Sequence, residues 1–378
     1  MKTFATLSNR STAVLFAGFA TLFSVSAGAS AATNLYVSTA GKDTNAGTSS
    51  SAPLRTIQRA AVLAKPGYVI HVAPGTYTET ITASVNGTSS ARIRFVSDTK
   101  YGAILRPKSG AYTMWSQKGG YTDIEGFQIN GAGSTSVRIG IYLNGGNSSV
   151  RNSWIHDVAT ASGCDNRGGG GIVTDQSRGK TYNNYQILNN RVHKVGGGCG
   201  FIQGIYHNSS GVIMNNVVSA TSQGINLGHD DNNTLIMNNT LVGNSGYGVR
   251  YGGCKEAYNN GCPTRGIKVH NNVIYGNGGG IQGPVTAEDV GNSVASNLVY
   301  ANRTNFDLAS PSSSTKTGII SADPKFVQYL ASGEGNYHLQ STSPVVSKGL
   351  TTNAPITDFD GKTRGAKIDF GAYESNLN

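Results

Sequence analysis

The stretch that decides the fold is Val212-Ile-Met-Asn-Asn-Val-Val218, followed after a polar loop by Gly224-Ile-Asn-Leu227. Its β-branched runs are typical of strands, because they are far too short for helices. An Asn-Asn pair and a Gly-bearing turn separate the runs, and Asn tolerates the left-handed backbone of a tight corner. The stretch therefore predicts short strands joined by sharp bends.

The same unit recurs along the chain with an irregular length. Asn-Asn pairs stand at 189–190, 215–216, 238–239 and 271–272, with degenerate copies at 152–153 and 296–297, and successive copies lie 23 to 37 residues apart. Between them, a Gly followed by Ile or Val opens a strand at Gly140, Gly171, Gly204, Gly224, Gly248 and Gly280. This repetition predicts a solenoid of stacked coils whose turns carry insertions.

Stacking and composition both favour a parallel β-helix. Equivalent Asn side chains in adjacent coils would lie ~4.8 Å apart, so we expect amide hydrogen bonds along the stack. An antiparallel sandwich would instead need hairpin turns every ~8–12 residues. Charged residues make up 13% of the chain, about half the usual share, and 51 glycines indicate many turns. We predict an all-β fold with one long core.

The first 31 residues are predicted to be a secretory signal peptide. Lys2 and Arg10 precede an apolar stretch, residues 13–25, and a small-residue run places the cleavage after Ala31 or Ala32. No other segment is long and apolar enough to span a membrane. We therefore expect a secreted protein, extracellular or periplasmic, whose formal charge falls from +10 to +8 on cleavage.

Four cysteines in an exported protein predict two disulfides, although four allow three connectivities. Alignment of the coils on their Gly-Ile positions puts Cys164 and Cys199 in equivalent loops of adjacent coils, whereas Cys254 and Cys262 share one inserted loop. We predict the pairs Cys164–Cys199 and Cys254–Cys262. A zinc site is not expected, because no Cys-x-x-Cys or nearby His pair accompanies them.

Motifs at both ends of the chain resemble those of exported β-helix proteins. The N-terminal motifs are Leu35-Tyr-Val-Ser-Thr-Ala-Gly-Lys-Asp-Thr-Asn-Ala-Gly-Thr48 and Ala73-Pro-Gly-Thr-Tyr77, and the C-terminal motifs are Asp323-Pro-Lys-Phe, Tyr337-His-Leu-Gln, Asp358-Phe-Asp-Gly and Asp369-Phe-Gly-Ala-Tyr-Glu374. With the coil pattern, they resemble the right-handed parallel β-helix of the pectate-lyase-like superfamily, including polysaccharide lyase family nine.

The resemblance implies an order of segments. The signal peptide, residues 1–31, is followed by an N-terminal cap and first coils over 32–115, a β-helix core over 116–310 and a C-terminal capping segment over 311–378. Residues 53–64 have helical period and are expected to cap the open N-terminal end. These motifs are specific for architecture and weak for substrate, because a fold does not fix function.

The resemblance also implies that the Gly-Ile strands form the sheet whose outer face is the substrate groove. With Ile inward, strand alternation points the next residue outward, which gives a column of Tyr142, Val173, Tyr206, Asn226, Arg250 and Gln282. Tyr can stack on sugar rings, Asn can bond hydroxyls and Arg can hold a carboxylate. The candidate substrate-binding residues are Tyr142, Tyr206, Asn226, Tyr251, Lys255 and Gln282.

Arg250 is the sharpest catalytic candidate. In pectate-type lyases an Arg or Lys on this face removes the proton α to a uronate carboxylate, and calcium or basic groups neutralise that carboxylate. The alternative is an arginine that only solvates an exposed strand. His207 and His229 are further catalytic candidates. The neighbours of His207 in its column, Leu143 and Leu227, favour a buried core histidine instead.

Adjacent carboxylates follow the next groove strand. Asp230 and Asp231, with Asp175 two coils earlier, form a candidate Ca²⁺ site through oxygen ligands. A turn without chemistry is the alternative, and an Asp pair is also found in β-helical polygalacturonases, which are inverting hydrolases. The motifs Gly-His-Gly and Arg-Ile-Lys of those hydrolases are absent. So are the spaced acidic ligands and groove lysine of family nine, which puts calcium and a lysine base in doubt.

These residues predict a secreted enzyme that cleaves an acidic, uronic-acid-containing polysaccharide, by β-elimination. A β-helical glycoside hydrolase and a non-catalytic carbohydrate-binding surface protein are the alternatives. A basic chain favours a polyanionic partner, since net charge sets non-specific attraction. We expect an anionic polysaccharide as partner, no nucleic acid, because no binding motif for it is found, and a monomer.

Overall fold

A computed structural model describes residues 33–174, 184–228, 231–252, 264–283, 290–308 and 314–375. Within these ranges the chain forms one helix, three long parallel sheets and a short antiparallel pair. The predicted all-β parallel β-helix is confirmed. Over the same ranges, no helix has the length and apolar character needed to cross a membrane.

Each coil contributes one strand to each of three sheets, which we name A, B and C in the order in which the chain enters them. Sheet A has eleven strands. They are β1 (Thr33–Val37), β2 (Tyr68–Val72), β5 (Ile93–Ser97), β8 (Thr122–Glu125), β11 (Ser149–Arg151), β14 (Tyr185–Leu188), β17 (Gly211–Met214), β20 (Thr234–Met237), β23 (Lys268–His270), β26 (Asn292–Ala295) and β29 (Ser314–Thr317).

Sheets B and C have nine strands each. Those of sheet B are β3 (Gly75–Thr78), β6 (Ala103–Arg106), β9 (Gln128–Asn130), β12 (Trp154–Val158), β15 (Arg191–Val195), β18 (Val217–Ser219), β21 (Thr240–Val242), β24 (Val273–Tyr275) and β27 (Leu298–Tyr300). Those of sheet C are β4 (Ile81–Ala83), β7 (Thr113–Gln117), β10 (Ile139–Leu143), β13 (Gly169–Thr174), β16 (Ile202–His207), β19 (Ile225–Leu227), β22 (Tyr247–Arg250), β25 (Gly279–Gln282) and β28 (Phe306–Asp307).

The Asn pairs make the corner between sheets A and B. The first residue of each pair has the left-handed backbone expected of a corner, for example φ 54° at Asn215, Asn238 and Asn271. The second residue points inward and continues a ladder of amide hydrogen bonds. Asn216 Nδ2 donates to Asn239 Oδ1 at 2.9 Å, and Asn239 Nδ2 donates to Asn272 Oδ1 at 3.0 Å. The predicted amide stack is therefore confirmed.

The interior of the coils is apolar. Each sheet turns its branched side chains inward, as Ile187 of β14, Val192 of β15 and Ile205 of β16 show at 0% exposure. The apolar residues of successive coils form one continuous core. Because β-strands alternate their side chains, the residues between these core positions face outward.

Helix α1 (Ile57–Leu63) covers the N-terminal end of the solenoid, next to β1 and β4. Thr56 is its N-cap, and Glu79 accepts hydrogen bonds from the amides of Ile57 and Gln58 at 3.0 and 2.8 Å. A carboxylate at a helix N-terminus compensates the unpaired amides of the first turn. The expected capping helix is confirmed within the predicted stretch 53–64.

The C-terminal residues lie along the outer face of sheet B. Strands β30 (Phe326–Gln328) and β31 (Asn336–Leu339) form the antiparallel pair. This segment, which we call the return segment (residues 323–375), packs apolar side chains on the outward valines of sheet B. It also occupies the corner: Asn215 Nδ2 donates to Thr357 O at 2.6 Å, and Asn238 Nδ2 donates to Asp369 O at 2.9 Å.

Candidate functional site

The outer face of sheet C carries a column of side chains in strict register. Strand pairing aligns one residue from each of the nine strands. The predicted alignment of six of these positions is thereby confirmed, and three further positions extend it at both ends. The column reads Thr82, Ser116, Tyr142, Val173, Tyr206, Asn226, Arg250, Gln282 and Asp307.

Two tyrosine side chains lie close to glycines of the following coil. A Cβ atom at Gly228 would stand 2.2 Å from Tyr206 Oη, and one at Gly279 would stand 2.3 Å from Tyr247 Cδ1. Only glycine leaves room for these rings at such a distance. The rings are therefore held against the sheet and contribute aromatic surface to the groove floor.

The C-terminal half of the column holds the charged part of the groove. Arg250 is exposed at the end of β22, between Asn226 and Gln282 of the neighbouring strands. Asp307 Oδ2 accepts hydrogen bonds from Tyr247 Oη and Gln282 Nε2, both at 2.7 Å. Among the residues that the structure describes, the Arg250 guanidinium makes no ion pair, so it is available to a ligand.

A second cation, Arg303, acts together with Arg250 on the pKa of Tyr247. Burial raises the pKa of the Tyr247 hydroxyl, and its hydrogen bond to Asp307 raises it further. The charges of Arg250 and Arg303 act on the same pKa in the opposite direction. Tyr247 therefore stays protonated and donates to Asp307, while Arg250 and Arg303 supply positive charge.

Three predicted site residues point into the interior of the β-helix and not into the groove. His207 and Asp231 have no exposed surface, and His207 Nδ1 lies 2.5 Å from Asp231 Oδ2. Tyr251 is 1% exposed, and its hydroxyl lies 3.0 Å from Ser314 Oγ. His207 and Tyr251 follow outward residues of sheet C, so strand alternation turns them inward. The interpretation of His207 as a buried histidine is confirmed, and neither tyrosine ring nor imidazole reaches a ligand in the groove.

Several other predicted residues lie outside the described ranges. They are the metal candidates Asp175 and Asp230, the catalytic candidate His229, the substrate contact Lys255 and the cysteine pair Cys254–Cys262. Within the described ranges no group of three or more His, Cys, Asp or Glu side chains is arranged to hold a metal ion. Asp231 is committed to His207, so a Ca²⁺ site remains a prediction that depends on Asp175 and Asp230.

The turns between sheets B and C form a wall beside the strands of the groove. The Cys164–Cys199 disulfide is confirmed, with an S–S distance of 2.11 Å, and joins the turn before β13 to the turn before β16. Arg138, 1% exposed, donates to Gly168 O at 2.9 Å and Gly163 O at 3.2 Å. A buried guanidinium and a disulfide thus hold one turn in a fixed shape.

Sequence reasoning missed Tyr247, Arg303 and Asp307. Phe306 pairs with Ile281, so residues 305–307 are a seventh copy of the outward unit. In that copy Asn and Phe replace Gly and Ile, which hides it from a search for the dipeptide. Gln282 and Asp307 are 25 residues apart, as are the corner residues 271 and 296 of the same two coils. This equal spacing could have revealed the seventh copy from the sequence.

Comparisons with known proteins agree with this architecture. A family described as protein of unknown function (DUF1565) matches residues 39–84. No curated protein matches the sequence. Among solved structures, the chain is similar to the pectate lyase Pel9A, at 17% identity and TM-score 0.55 over 91% of this chain and 96% of that one. It is also similar to a rhamnogalacturonan lyase, at 16% identity and TM-score 0.52 over 71% and 74% of the two chains. At these identities the likeness establishes the fold alone, which is a parallel β-helix.

Proposed function

We propose that this protein is a secreted polysaccharide lyase that cleaves an acidic, uronate-containing polysaccharide by β-elimination. The observation that carries the proposal is the position of Arg250. It is an exposed cation between the amide side chains of Asn226 and Gln282, in the C-terminal half of the in-register column on the outer face of sheet C. The two similar structures, a pectate lyase and a rhamnogalacturonan lyase, support a polysaccharide substrate.

The reaction needs a neutralised carboxylate and a base. We assign the pairing with the carboxylate of the bound uronate to Arg303, which lies between β27 and β28 and whose charge acts on the Tyr247 hydroxyl. Such a pairing makes the proton on the adjacent carbon more acidic. For this step the Arg250 side chain first gives up its own proton to solvent, and the neutral side chain then takes the proton from the adjacent carbon. The electron pair forms the new carbon–carbon double bond, the glycosidic carbon–oxygen bond breaks, and a proton from solvent completes the leaving hydroxyl.

The neighbours of Arg250 position the sugar. The Asn226 and Gln282 amides flank Arg250 on the adjacent strands and offer hydrogen bonds to hydroxyls. Gln282 keeps its orientation through its bond to Asp307 Oδ2. Prior orientation of a catalytic shell lowers the entropic cost of reaching the transition state. Tyr206 supplies an aromatic surface one coil beyond Asn226.

A glycoside hydrolase has less support from the groove. Both inverting and retaining hydrolases use a pair of carboxylates. Asp307 is the single carboxylate in the nine-residue column, and its Oδ2 already accepts two hydrogen bonds. The column therefore fits elimination better than acid–base hydrolysis.

The test is an assay of the mature protein on a panel of uronic-acid polysaccharides, with and without Ca²⁺. Ultraviolet absorbance of unsaturated uronate and new reducing ends are followed together. A rise in both supports elimination. Reducing ends without absorbance would replace the lyase with a hydrolase. Binding without either signal would make the protein a carbohydrate-binding module.

A further inference from the structure

The outer face of sheet C has an uncharged half and a charged half. From Thr82 to Asn226, none of the six column positions carries a charge, and the first charge is that of Arg250. A second row in register, Thr113, Ile139, Gly170 and Gln203, is also uncharged. A carboxylate bound over these rows would lose water without meeting a cation in return.

Two exposed aromatic residues stand beside the uncharged half. Tyr112 immediately precedes β7 and is 37% exposed, and Phe201 immediately precedes β16 and is 50% exposed. Both are in turns between sheets B and C, on the same edge of the groove. Solvent-exposed aromatic rings of this kind stack on the apolar faces of sugars.

Contacts within the protein hold the aromatic edge in place, by which we mean the turns that carry Tyr112 and Phe201. Tyr112 Oη donates to Gly168 O at 3.3 Å, two coils further along, and Arg138 Nε donates to the same carbonyl at 2.9 Å. The Cys164–Cys199 disulfide then ties this turn to the turn that ends at Phe201. The Tyr112 hydroxyl and the backbone next to Phe201 are thus anchored before any ligand binds, which lowers the entropic cost of binding.

The charges of the edge are paired with one another. Asp165 accepts from Arg167 Nη2 at 2.6 Å and also lies 3.3 Å from buried Arg138. The Arg138 guanidinium is occupied by backbone carbonyls. The two arginines share one aspartate, so this edge keeps a net charge of +1, held in contacts within the protein, and its exposed apolar side chains are the two aromatic rings.

We propose, on the basis of the proposed function, that the substrate is a heteropolysaccharide. The carboxylate of its uronate pairs with Arg303, next to Arg250, and neutral sugars bind over the uncharged half, against Tyr112 and Phe201. Column positions Tyr142 and Arg250 are four strand spacings apart, about 19 Å, which accommodates several sugar residues. The uncharged half disfavours a polymer with a carboxylate on every residue.

Binding is measured with the Arg250→Ala variant, which we expect not to cleave the polymer, and turnover is measured with the wild type. The probes are a homopolyuronate and the same polymer after partial and complete carboxyl reduction, which converts uronates to neutral sugars. We expect the partly reduced polymer to bind most tightly and to be the form that the wild type cleaves fastest. Phe201→Ala should weaken its binding about tenfold, the loss of one stacking contact. Phe201→Tyr should restore binding.

Tyr300→Ala is the matched control, because Tyr300 is also 37% exposed but lies at the end of β27 in sheet B. Tightest binding of the unreduced homopolyuronate, or equal effects of Phe201→Ala and Tyr300→Ala, would overturn the heteropolysaccharide proposal even if the enzyme is a lyase. Conversely, Phe201-dependent binding without cleavage by the wild type would refute the lyase and leave the neutral-sugar site standing.

Discussion

His207 and Asp231 form a hydrogen-bonded pair sealed inside the β-helix, with 2.5 Å between Nδ1 and Oδ2. Neither side chain has exposed surface. Among the described residues, His207 Nε2 and Asp231 Oδ1 have no further partner. The pair therefore belongs to the core beneath the groove and not to its surface.

Loss of one member of this pair should destabilise the fold strongly. Asp231→Ala leaves the buried imidazole without its partner, and we expect a loss of at least about 2 kcal/mol in unfolding free energy. Denaturant unfolding followed by circular dichroism measures it. Lys325→Ala, at an exposed ion pair with Asp323, should cost less than about 1 kcal/mol. Equal losses for the two variants would refute the structural role.

Arg250→Ala should abolish turnover and leave the fold intact. Arg250 is exposed, so its removal creates no cavity, and loss of a general base lowers kcat by at least about 100-fold. The melting temperature and initial rates on the responsive polysaccharide are the measurements. Arg55→Ala removes an equally exposed arginine near the N-terminal helix and should leave rates unchanged. A rate for Arg250→Ala within a few-fold of wild type would exclude a catalytic role.

Stability should decline as pH falls from about 6.5 to about 4, in part because of His193. Burial lowers the pKa of His193 from 6.5 to about 4, and the charges of Lys194 and Arg191 contribute. Between these values the unfolded chain binds the proton and the folded chain does not, so acid favours unfolding. His193→Gln should reduce the loss of melting temperature between pH 7 and 4.5. It should not remove it, because His270 also has a pKa of about 4. An unchanged slope would contradict this assignment.

Replacement of an asparagine in the middle of the amide ladder should destabilise the fold more than replacement at its partly exposed end. Asn239 Nδ2 donates to Asn272 Oδ1 and Ile213 O, and its Oδ1 accepts from Asn216. Asn239→Ala leaves those buried groups unpaired, and we expect a loss of about 2 kcal/mol. Asn302→Ala, in a partly exposed ladder position, should lose less because water can replace its partners. Thermal melts compare the two variants. A larger loss for Asn302→Ala would contradict the argument.

The sequence predicts the repeated parts of the molecule well. Left-handed Asn corners, inward isoleucines and the register of column residues such as Tyr206 and Arg250 all follow from strand periodicity and local backbone preference. The Cys164–Cys199 pair follows because stacked coils place equivalent turns side by side.

The remaining groove residues, Tyr247 and Asp307, could not be predicted, because they are brought together by contacts between residues far apart in the sequence. Tyr247 meets Asp307 across two coils, a separation of 60 residues. The path of the return segment is equally non-local, since Asn238 bonds to Asp369, 131 residues away. Strand alternation itself turns His207 and Tyr251 toward the core, so the prediction that they act in the groove is wrong. Asp231 lies in the turn after β19, where alternation gives no direction, and its pairing with His207 is a contact between different coils.

The return segment changes how the solenoid comes apart. Simple solenoids gain stability from contacts between neighbouring coils, so that their ends can fray one repeat at a time. Here residues near the C-terminus hold Asn215, Asn238 and Asn271, which belong to three successive coils. When the return segment detaches, these three coils lose its hydrogen bonds at the same time. We therefore expect a single cooperative melting transition for them.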